Sequence, residues 1–373
     1  VYRQRAFAWA AVRADNGERG GTATYAACWA LAGAGGGRRA PGHMPPWLVV
    51  SAAHSALSSV PGSLTVRSAD AVAMRWRVVA VVLDGDGTSC APVLASIQLG
   101  VCVSQQLVRC GSQCGRLVLL TRGAQLSEWQ GGMSSGCHGG VWGMGRVLRL
   151  EHPELAALNV DVVRGIGAVC VGRAAIPHVS PAGVHHETEE AWMADGSRRA
   201  SRLRACGSRA WCTAAHGCGG SYVITGGLGG LGLRAATLLA EAGAARHVCL
   251  ASRSGRVASS DVRVEAERAA RAGCTTEAVS CDVAVASEAC LLLGRSGPHI
   301  DGVLHAAGAA DFGWLSGLSA ESVHWMSAGK AASAWLLHCF SSGLVLDALV
   351  LFSSVASGLA NVGQGNYATA NSS

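Results

Sequence analysis

The stretch SYVITGGLGGLGLRAATLLA, residues 221–240, limits the fold more than any other part of the chain. Its apolar start predicts a strand that ends at Thr225, and its end has the apolar spacing of a helix. Because the chain contains 50 glycines, the glycine spacing alone carries little weight. A strand, a glycine turn and a helix in this order do predict a dinucleotide site, since glycine leaves room for a pyrophosphate that the helix amino end attracts. The residues predicted to form it are Thr225, Gly226, Gly227, Gly230, Leu231 and Gly232.

The next predicted strand ends in HVCLASRSG, residues 247–255. Sites for NAD usually carry an acidic residue here, which binds the ribose 2′-hydroxyl. This chain has Ser252 and Arg253 instead, and a guanidinium binds a 2′-phosphate through two hydrogen bonds. The sequence therefore predicts NADPH as the cofactor. Asp282 and Val283, which follow the third predicted strand, are expected at the adenine.

Strand-like and helix-like segments alternate through both halves of the chain, which predicts an α/β fold with two Rossmann-like, doubly wound parallel sheets. Helical spacing covers Ala91–Arg109, Gly140–Leu150, Ser260–Ala272 and Ala320–Ser342. The predicted strands are Trp47–Ser51, Arg77–Leu83, Arg116–Thr121, Asn159–Val163, Ser221–Thr225, His247–Ala251, Ala278–Ser280, Gly302–Ala306 and Ala348–Phe352.

The first sheet has no glycine turn after WLVVS, where the sequence continues as SAAHSA, so we expect it to be a scaffold without cofactor. The segment from Ser197 to Gly220 is rich in Arg, Cys and Gly and has no clear period. It is predicted to be the boundary between the two halves.

Composition excludes several classes of protein. Half of the residues are apolar and 14% are charged, which excludes a disordered chain. The sequence has no run of ~18 apolar residues, which is the length that a membrane-spanning helix needs. The net charge of +6 is scattered, without the basic stripe of a nucleic-acid site. The 15 cysteines lack the paired CxxC spacing of zinc sites. We expect no metal, reduced thiols and a cytoplasmic location.

Four polar residues form a second candidate constellation. Ser354 precedes Tyr367 by thirteen residues, Asn371 follows Tyr367 by one helical turn, and Lys330 is the only lysine in the chain. A phenol has a pKa of ~10, and a nearby ammonium lowers it. With a serine hydroxyl to hold a carbonyl, this set suits the reduction of a ketone. Taken singly, three of them have an ordinary explanation: Ser354 as a strand cap, Asn371 as a helix-turn residue and Lys330 as a surface charge.

The residues resemble the ketoreductase domain of modular type I polyketide synthases, within the short-chain dehydrogenase/reductase superfamily. The matching motifs are TGGLGGLG, SRSG, CDV, HAAG, GKAASAWLLH and FSSVASGLANVGQGNYATAN. The resemblance implies that Tyr367 donates the proton, that Ser354 orients the ketone, and that Lys330 and Asn371 stand in the exchanged order of these reductases. It also assigns to the cofactor site the residues of HAAG, namely His305, Ala306, Ala307 and Gly308.

The resemblance implies three regions. Residues 1–20, with YRQRAFAW, resemble a linker that follows an acyltransferase domain. Residues 21–219 resemble the structural subdomain, which ATYAACWAL begins and in which GVWGMGRVLRLEHPEL is the signature. Residues 220–373 resemble the catalytic subdomain, which we expect to continue beyond Ser373, so that the fragment alone is inactive.

The implied reaction reduces a β-ketoacyl thioester on an acyl carrier protein with NADPH, beside ketosynthase, acyltransferase and dehydratase domains. The alternatives are a fatty acid synthase ketoreductase, a catalytically silent scaffold and a free dehydrogenase, although the amino-terminal subdomain argues against the last. The product configuration stays open. Asp311 is what remains of a Leu-Asp-Asp motif that marks one class, whereas Leu359 replaces the tryptophan that marks the other.

Overall fold

The computed structural model describes residues 24–31, 47–51, 63–66, 78–83, 91–111, 116–125, 136–162, 187–193, 197–206, 219–256, 260–295 and 299–373. The linker prediction for residues 1–20 and the segment after Ser51 lie outside these ranges. The described strands before residue 207 belong to one compact unit. The helices between residues 91 and 151 belong, with everything from residue 219 onward, to a second unit. The predicted domain boundaries near residues 20 and 220 stay predictions.

The first unit contains an eight-stranded sheet in the order β1-β8-β7-β6-β5-β4-β2-β3. The strands are β1 Thr24–Leu31, β2 Trp47–Ser51, β3 Ser63–Val66, β4 Val78–Leu83, β5 Leu117–Arg122, β6 Leu158–Val162, β7 Glu189–Trp192 and β8 Arg198–Cys206. Neighbouring strands are parallel along the sheet from β3 through β2, β4, β5 and β6 to β7, as predicted. The pairs that β8 makes with β1 and β7 are antiparallel. Every residue of β4 is buried, which explains its unbroken apolar sequence.

Within residues 197–220, whose role as the boundary stays a prediction, residues 198–206 form the strand β8, which the sequence pattern did not predict. Its arginines interrupt the alternation of apolar and polar residues that predicts a strand. Two of them have carboxylate partners on or next to the neighbouring strand β7. Arg198 lies 3.1 Å from Glu190, and Arg202 pairs with Glu187. Ala200 between them is fully buried. The charges therefore border the strand and do not prevent it.

The second unit contains a five-stranded sheet in the order β11-β10-β9-β12-β13, with all pairs parallel. Its strands are β9 Gly220–Thr225, β10 Ala245–Ser252, β11 Thr275–Ser280, β12 Gly302–His305 and β13 Ala348–Leu351. This order matches five of the six strands of the classic dinucleotide-binding fold, and it confirms the predicted fold class. Buried apolar side chains of β9, β10 and β12, including Val223, Ile224, Leu250 and Val303, form the centre of its core.

The helices of the second unit are α1 Leu94–Arg109, α2 Gly139–Glu151, α3 Gly230–Glu241, α4 Ser260–Arg271, α5 Ala286–Arg295, α6 Ala320–Ser327, α7 Ser333–Ser341, α8 Val355–Leu359 and α9 Gly365–Ser372. The helix predicted over residues 320–342 is interrupted by a π-helical turn, Ala328–Ala332, which joins α6 to α7. Among the described residues, no helix has the length and hydropathy that crossing a membrane requires.

The helices α2 and α9 pack with their backbones in close approach. A Cβ at Gly139 would lie 2.5 Å from the carbonyl oxygen of Ser372, and one at Gly143 would overlap that of Ala368. Glycine inside a helix is unfavourable by ~1 kcal/mol relative to alanine, so its presence here has a packing reason. The glycines of the α2 signature thus make room for the helix that carries Tyr367.

This close packing predicts that Gly143→Ala destabilises the protein by about 1–3 kcal/mol, because the two helices must separate. Gly294→Ala in α5 is the matched control, since a Cβ there meets nothing within 4 Å. By helix propensity alone it should stabilise by up to ~1 kcal/mol. Urea unfolding of both variants measures the difference. Equal stability of the two would contradict the packing argument.

Candidate active site

The predicted site residues follow different strands of the second sheet and meet at one edge. Thr225 ends β9, Ser252 ends β10 and His305 ends β12, while Ser354 lies three residues beyond β13. Because these strands are parallel, their carboxyl ends lie on the same side of the sheet. The strand order reverses between β9 and β12, and this crevice is where α/β folds bind ligands.

The glycine turn after β9 has the close contacts that a dinucleotide cradle requires. Gly226 has φ +68°, and a Cβ on it would lie 2.5 Å from the amide nitrogen of Ala307. A Cβ on Gly232 would lie 2.5 Å from the carbonyl oxygen of Gly226. Around Gly230, by contrast, a Cβ would meet nothing within 4 Å. The turn is therefore packed on its inner side and open at the start of α3.

The amino end of α3 suits a phosphate. Its capping residue is Gly229, no side chain caps the first turn, and that turn contains no acidic residue. The first N–H groups of a helix and its dipole attract negative charge. Leu231 is 64% exposed at this end. The residues present thus fit a pyrophosphate, and the assignment of Gly226, Gly227, Gly230, Leu231 and Gly232 to it stays a prediction.

Beside this turn, the SRSG segment forms a tight loop at the end of β10. The hydroxyl of Ser252 accepts a hydrogen bond of 3.1 Å from the backbone N–H of Gly255. The hydroxyl of Ser280, at the end of β11, donates to the carbonyl of Arg253 over 2.9 Å. The loop backbone is thereby fixed, while the side chain of Arg253 is exposed. A fixed loop with an exposed guanidinium can bind a phosphate.

At the end of β11, Asp282 and Val283 have contacts of their own. The carboxylate of Asp282 accepts from Ala284 over 3.0 Å, and its backbone N–H donates to Glu288 over 2.7 Å. The side chain of Val283 is buried in the core with Val223 and Leu292. Their assignment to the adenine stays a prediction, and the burial of Val283 leaves only its backbone for such a contact.

The predicted HAAG motif links the glycine turn to the π-helical turn through His305. This residue is 2% exposed. Its Nδ1 lies 2.7 Å from the hydroxyl of Thr225, and its Nε2 lies 3.1 Å from the hydroxyl of Ser333 and 3.2 Å from the carbonyl oxygen of Lys330. Burial, with the nearby Lys330, lowers the pKa of His305 from 6.5 to about 4. A neutral imidazole thus joins three segments of the site.

The π-helical turn places Lys330 beside β12 and β13. Its ammonium donates to the carbonyl of Phe352 over 3.1 Å. A Cβ at Gly308 would overlap the aliphatic chain of Lys330, so the glycine of HAAG makes room for this side chain. Burial lowers the pKa of Lys330. Turns of this kind inside α-helices often occur at functional sites.

Hydrogen bonds connect Tyr367 to Asn371 within α9, and Asn371 to Ser353, the residue before Ser354. The Ser354 hydroxyl caps α8 by accepting from Ala356, which leaves its proton able to donate. The neighbouring Ser353 hydroxyl donates to the carbonyl of Asn371 over 2.8 Å. The amide of Asn371 donates to the carbonyl of Tyr367 over 2.9 Å, and its side-chain oxygen is buried without a described partner. The Tyr367 hydroxyl is in no hydrogen bond with a described residue.

A further network, which the sequence did not indicate, holds the first turn of α9. The Asp311 carboxylate accepts from the Ser322 hydroxyl over 2.8 Å and from the Asn366 amide over 2.7 Å. These hydrogen bonds lower the pKa of Asp311. The Asn366 side-chain oxygen accepts from the backbone of Tyr367 over 2.8 Å. Asp311 is thus connected to the tyrosine through one buried asparagine.

No group of three or more His, Cys, Asp or Glu in the described ranges is placed to bind a metal ion. Residues 207–218, which include most of the stretch rich in cysteine, lie outside those ranges.

Comparison with known proteins identifies the same region. Residues 220–373 match the family model described as the KR domain. The chain is 32% identical to polyketide synthase GfsB of Streptomyces halstedii over 262 aligned residues. This alignment covers 68% of the chain and 5% of GfsB. It is 38% identical to the spectinabilin polyketide synthase system protein NorB of Streptomyces orinoci over 154 aligned residues. This second alignment covers 41% of the chain and 7% of NorB.

Two solved structures are similar over most of the chain. An A1-type ketoreductase, 25% identical, superposes with a TM-score of 0.79 over 93% of this chain and 77% of that one. The first ketoreductase of the tylosin polyketide synthase, 26% identical, gives a TM-score of 0.73 over 93% and 76%. The chain thus spans most of a solved ketoreductase but 5% of GfsB and 7% of NorB.

The burial of His305 predicts a pH dependence of stability. Its pKa is lowered in the folded state, so the unfolded chain binds more protons between about pH 6.5 and pH 4, and acid favours unfolding. Between pH 7 and pH 5 we expect this residue to lower the free energy of unfolding by about 2 kcal/mol.

The glutamine of His305→Gln does not titrate. Between pH 7 and pH 5, the free energy of unfolding of this variant should therefore fall by about 2 kcal/mol less than that of the wild type. Denaturant unfolding of both proteins at the two pH values measures the difference. An equal loss in the two proteins would mean that His305 is not buried in its neutral form.

Proposed function

Because residues 220–373 belong to the ketoreductase family of modular polyketide synthases, we propose that this region reduces a β-ketoacyl thioester on an acyl carrier protein, with NADPH as reductant. One observation supports the proposal: the glycine turn and Ser354 follow carboxyl ends of the second sheet, where Lys330 binds Phe352 and the helix of Tyr367 and Asn371 binds Ser353. The relatives named above are polyketide synthases, so the fatty acid synthase and free dehydrogenase alternatives are not favoured.

The cofactor would be held by elements already described. The glycine turn and the amino end of α3 would bind the pyrophosphate, and Ser252 with Arg253 would bind the 2′-phosphate. Ala306, Ala307 and Gly308, which follow β12, would line the other side of the crevice. When bound, NADPH supplies the hydride that reaches the β-carbon of the substrate.

The proton comes from Tyr367. As the ketone carbon accepts the hydride, its oxygen gains charge, and the Tyr367 hydroxyl donates a proton to that oxygen to give the alcohol. The Ser354 hydroxyl donates a hydrogen bond to the same oxygen. The ammonium of Lys330 stabilises the phenolate that remains. The buried oxygen of Asn371, which no described residue binds, suits a water through which the phenol regains its proton.

The partners follow from the reaction. The substrate is a β-ketoacyl chain on the phosphopantetheine arm of an acyl carrier protein, so the reductase must work beside that protein. We propose neighbouring ketosynthase, acyltransferase and dehydratase domains and a cytoplasmic location. The support is the similarity to multidomain polyketide synthases.

The 2′-phosphate assignment predicts a change of cofactor preference in Arg253→Glu. Loss of a charge-assisted hydrogen bond and introduction of a like charge should weaken NADPH binding about 10- to 100-fold and leave NADH binding unchanged. Arg256→Glu, an exposed arginine in the same loop, is the matched control. Cofactor fluorescence titration measures both affinities. Equal losses for NADPH and NADH would refute the assignment.

The proton-donor assignment predicts that Tyr367→Phe lowers the rate of thioester reduction by roughly 10²–10⁴-fold. NADPH affinity should not change, because the glycine turn and Arg253 are intact. Tyr222→Phe is the control, since this tyrosine is buried in the core of the same sheet. NADPH oxidation with a β-ketoacyl thioester measures the rate in the full-length protein. Full turnover by Tyr367→Phe would sink the assignment, and an inactive wild-type protein would favour a silent scaffold.

A further inference from the structure

The last residue of α2, Glu151, binds two separate loops of the second unit. One carboxylate oxygen accepts from the backbone N–H of Leu315 over 2.6 Å. The other accepts from the backbone N–H of Gly363 over 2.8 Å. Hydrogen bonds to a carboxylate are roughly twice as strong as those between neutral groups. A single side chain thus fixes two loops that are 48 residues apart in sequence.

Both loops border the predicted catalytic residues. The first, residues 309–318, follows the HAAG motif and includes Asp311; we call it the Gly313 loop. The second, residues 360–364, leads directly into α9; we call it the Gly363 loop. The two are also joined to each other, because the N–H of Gly313 donates to the carbonyl of Gly363 over 2.8 Å.

The Gly363 loop determines where α9 begins. Gly363 has φ +76°, a conformation that few other residues adopt, and the carbonyl of Gln364 accepts the N–H of Ala368 over 2.8 Å. Tyr367 lies in this first turn, four residues after the N–H that Glu151 binds. A shift of the Gly363 loop would therefore shift the phenol.

Other residues of α1 and α2 hold the same region, so Glu151 belongs to a consistent set. The Gln105 amide donates to the carbonyls of Leu315 and Leu318 over 3.0 and 2.8 Å. The Arg146 guanidinium donates to the carbonyl of Ser357. Glu151 is the member of this set that binds the loop next to Tyr367. Replacing its carboxylate with an amide of equal size would remove one of its two hydrogen bonds and keep the other.

We propose that Glu151 is a positioning residue for Tyr367, which its carboxylate holds in place through the backbone of the Gly363 loop while it also fixes the Gly313 loop. The inference rests on the proposed function, because it takes Tyr367 as the proton donor. It gives the α2 signature a role in the reaction in addition to its role in packing.

The test compares Glu151→Gln and Glu151→Ala in the full-length protein. Glutamine keeps one acceptor oxygen and replaces the other with a donor, so one of the two N–H groups is left unbound; alanine leaves both unbound. A misplaced catalytic group can lower kcat up to about 100-fold, so we expect a loss of about 10-fold for glutamine and a larger loss for alanine. Glu154→Gln, an exposed glutamate on the next turn, is the matched control and should keep full activity.

Two further measurements separate positioning from a general loss of structure. NADPH affinity should be unchanged in Glu151→Gln, because the glycine turn is not touched. The solvent deuterium isotope effect on kcat should increase, since proton transfer from a misplaced phenol becomes slower than hydride transfer. A parallel loss of NADPH affinity and kcat, or an unchanged isotope effect, would overturn the proposal.

Hydrogen–deuterium exchange tests the clamp independently of activity. In Glu151→Gln, the peptide whose N–H loses its acceptor, either that of Leu315 or that of Gly363, should exchange faster than in the wild type, whereas the peptide of the glycine turn should not. If exchange is unchanged in both loops, Glu151 does not hold them. If the wild-type protein fails to reduce the thioester, the proposed function is wrong, and the exchange result still decides whether the clamp exists.

Discussion

The candidate site depends on backbone segments that approach more closely than any side chain would allow. The turn at Gly226 contacts the backbone of Ala307, which brings the ends of β9 and β12 together around the crevice. Gly308 admits the side chain of Lys330, and Gly143 admits the backbone of the helix that carries Tyr367. Each contact replaces a Cβ with another segment. The glycines thus set the distances between elements, and the polar residues act within those distances.

Hydrogen bonds of buried and half-buried polar groups then fix the orientation of the elements. His305, neutral and almost fully buried, joins Thr225 to the π-helical turn of Lys330. Asp311 accepts from side chains of α6 and α9, and Glu151 accepts from the backbone of the Gly313 and Gly363 loops. A buried polar group left without a partner costs about 1–3 kcal/mol, so these networks favour a single arrangement over looser ones. A positioned proton donor requires that kind of rigidity.

The order of elements in the second sheet could be predicted from sequence, because its strands are apolar and a glycine turn marks the first. The contribution of α2 to the second unit could not, since helical spacing does not say which neighbour a helix meets. The glycines at positions 139 and 143 were the available signal. The strand β8 was missed because cross-strand ion pairs allow arginines where apolar residues are expected. The π-helical turn at Lys330 and the partners of Asn366 depend on tertiary contacts, which no local pattern encodes.

In the proposed reaction, hydride and proton reach the two atoms of a substrate ketone at this edge of the sheet. The most direct measurement is transfer of deuterium from NADPH that carries deuterium at both C4 positions to a β-ketoacyl chain on an acyl carrier protein, followed by mass spectrometry of the product. The account predicts a β-hydroxyacyl chain with one deuterium, on the β-carbon. An unlabelled product, or deuterium at any other carbon, would contradict it.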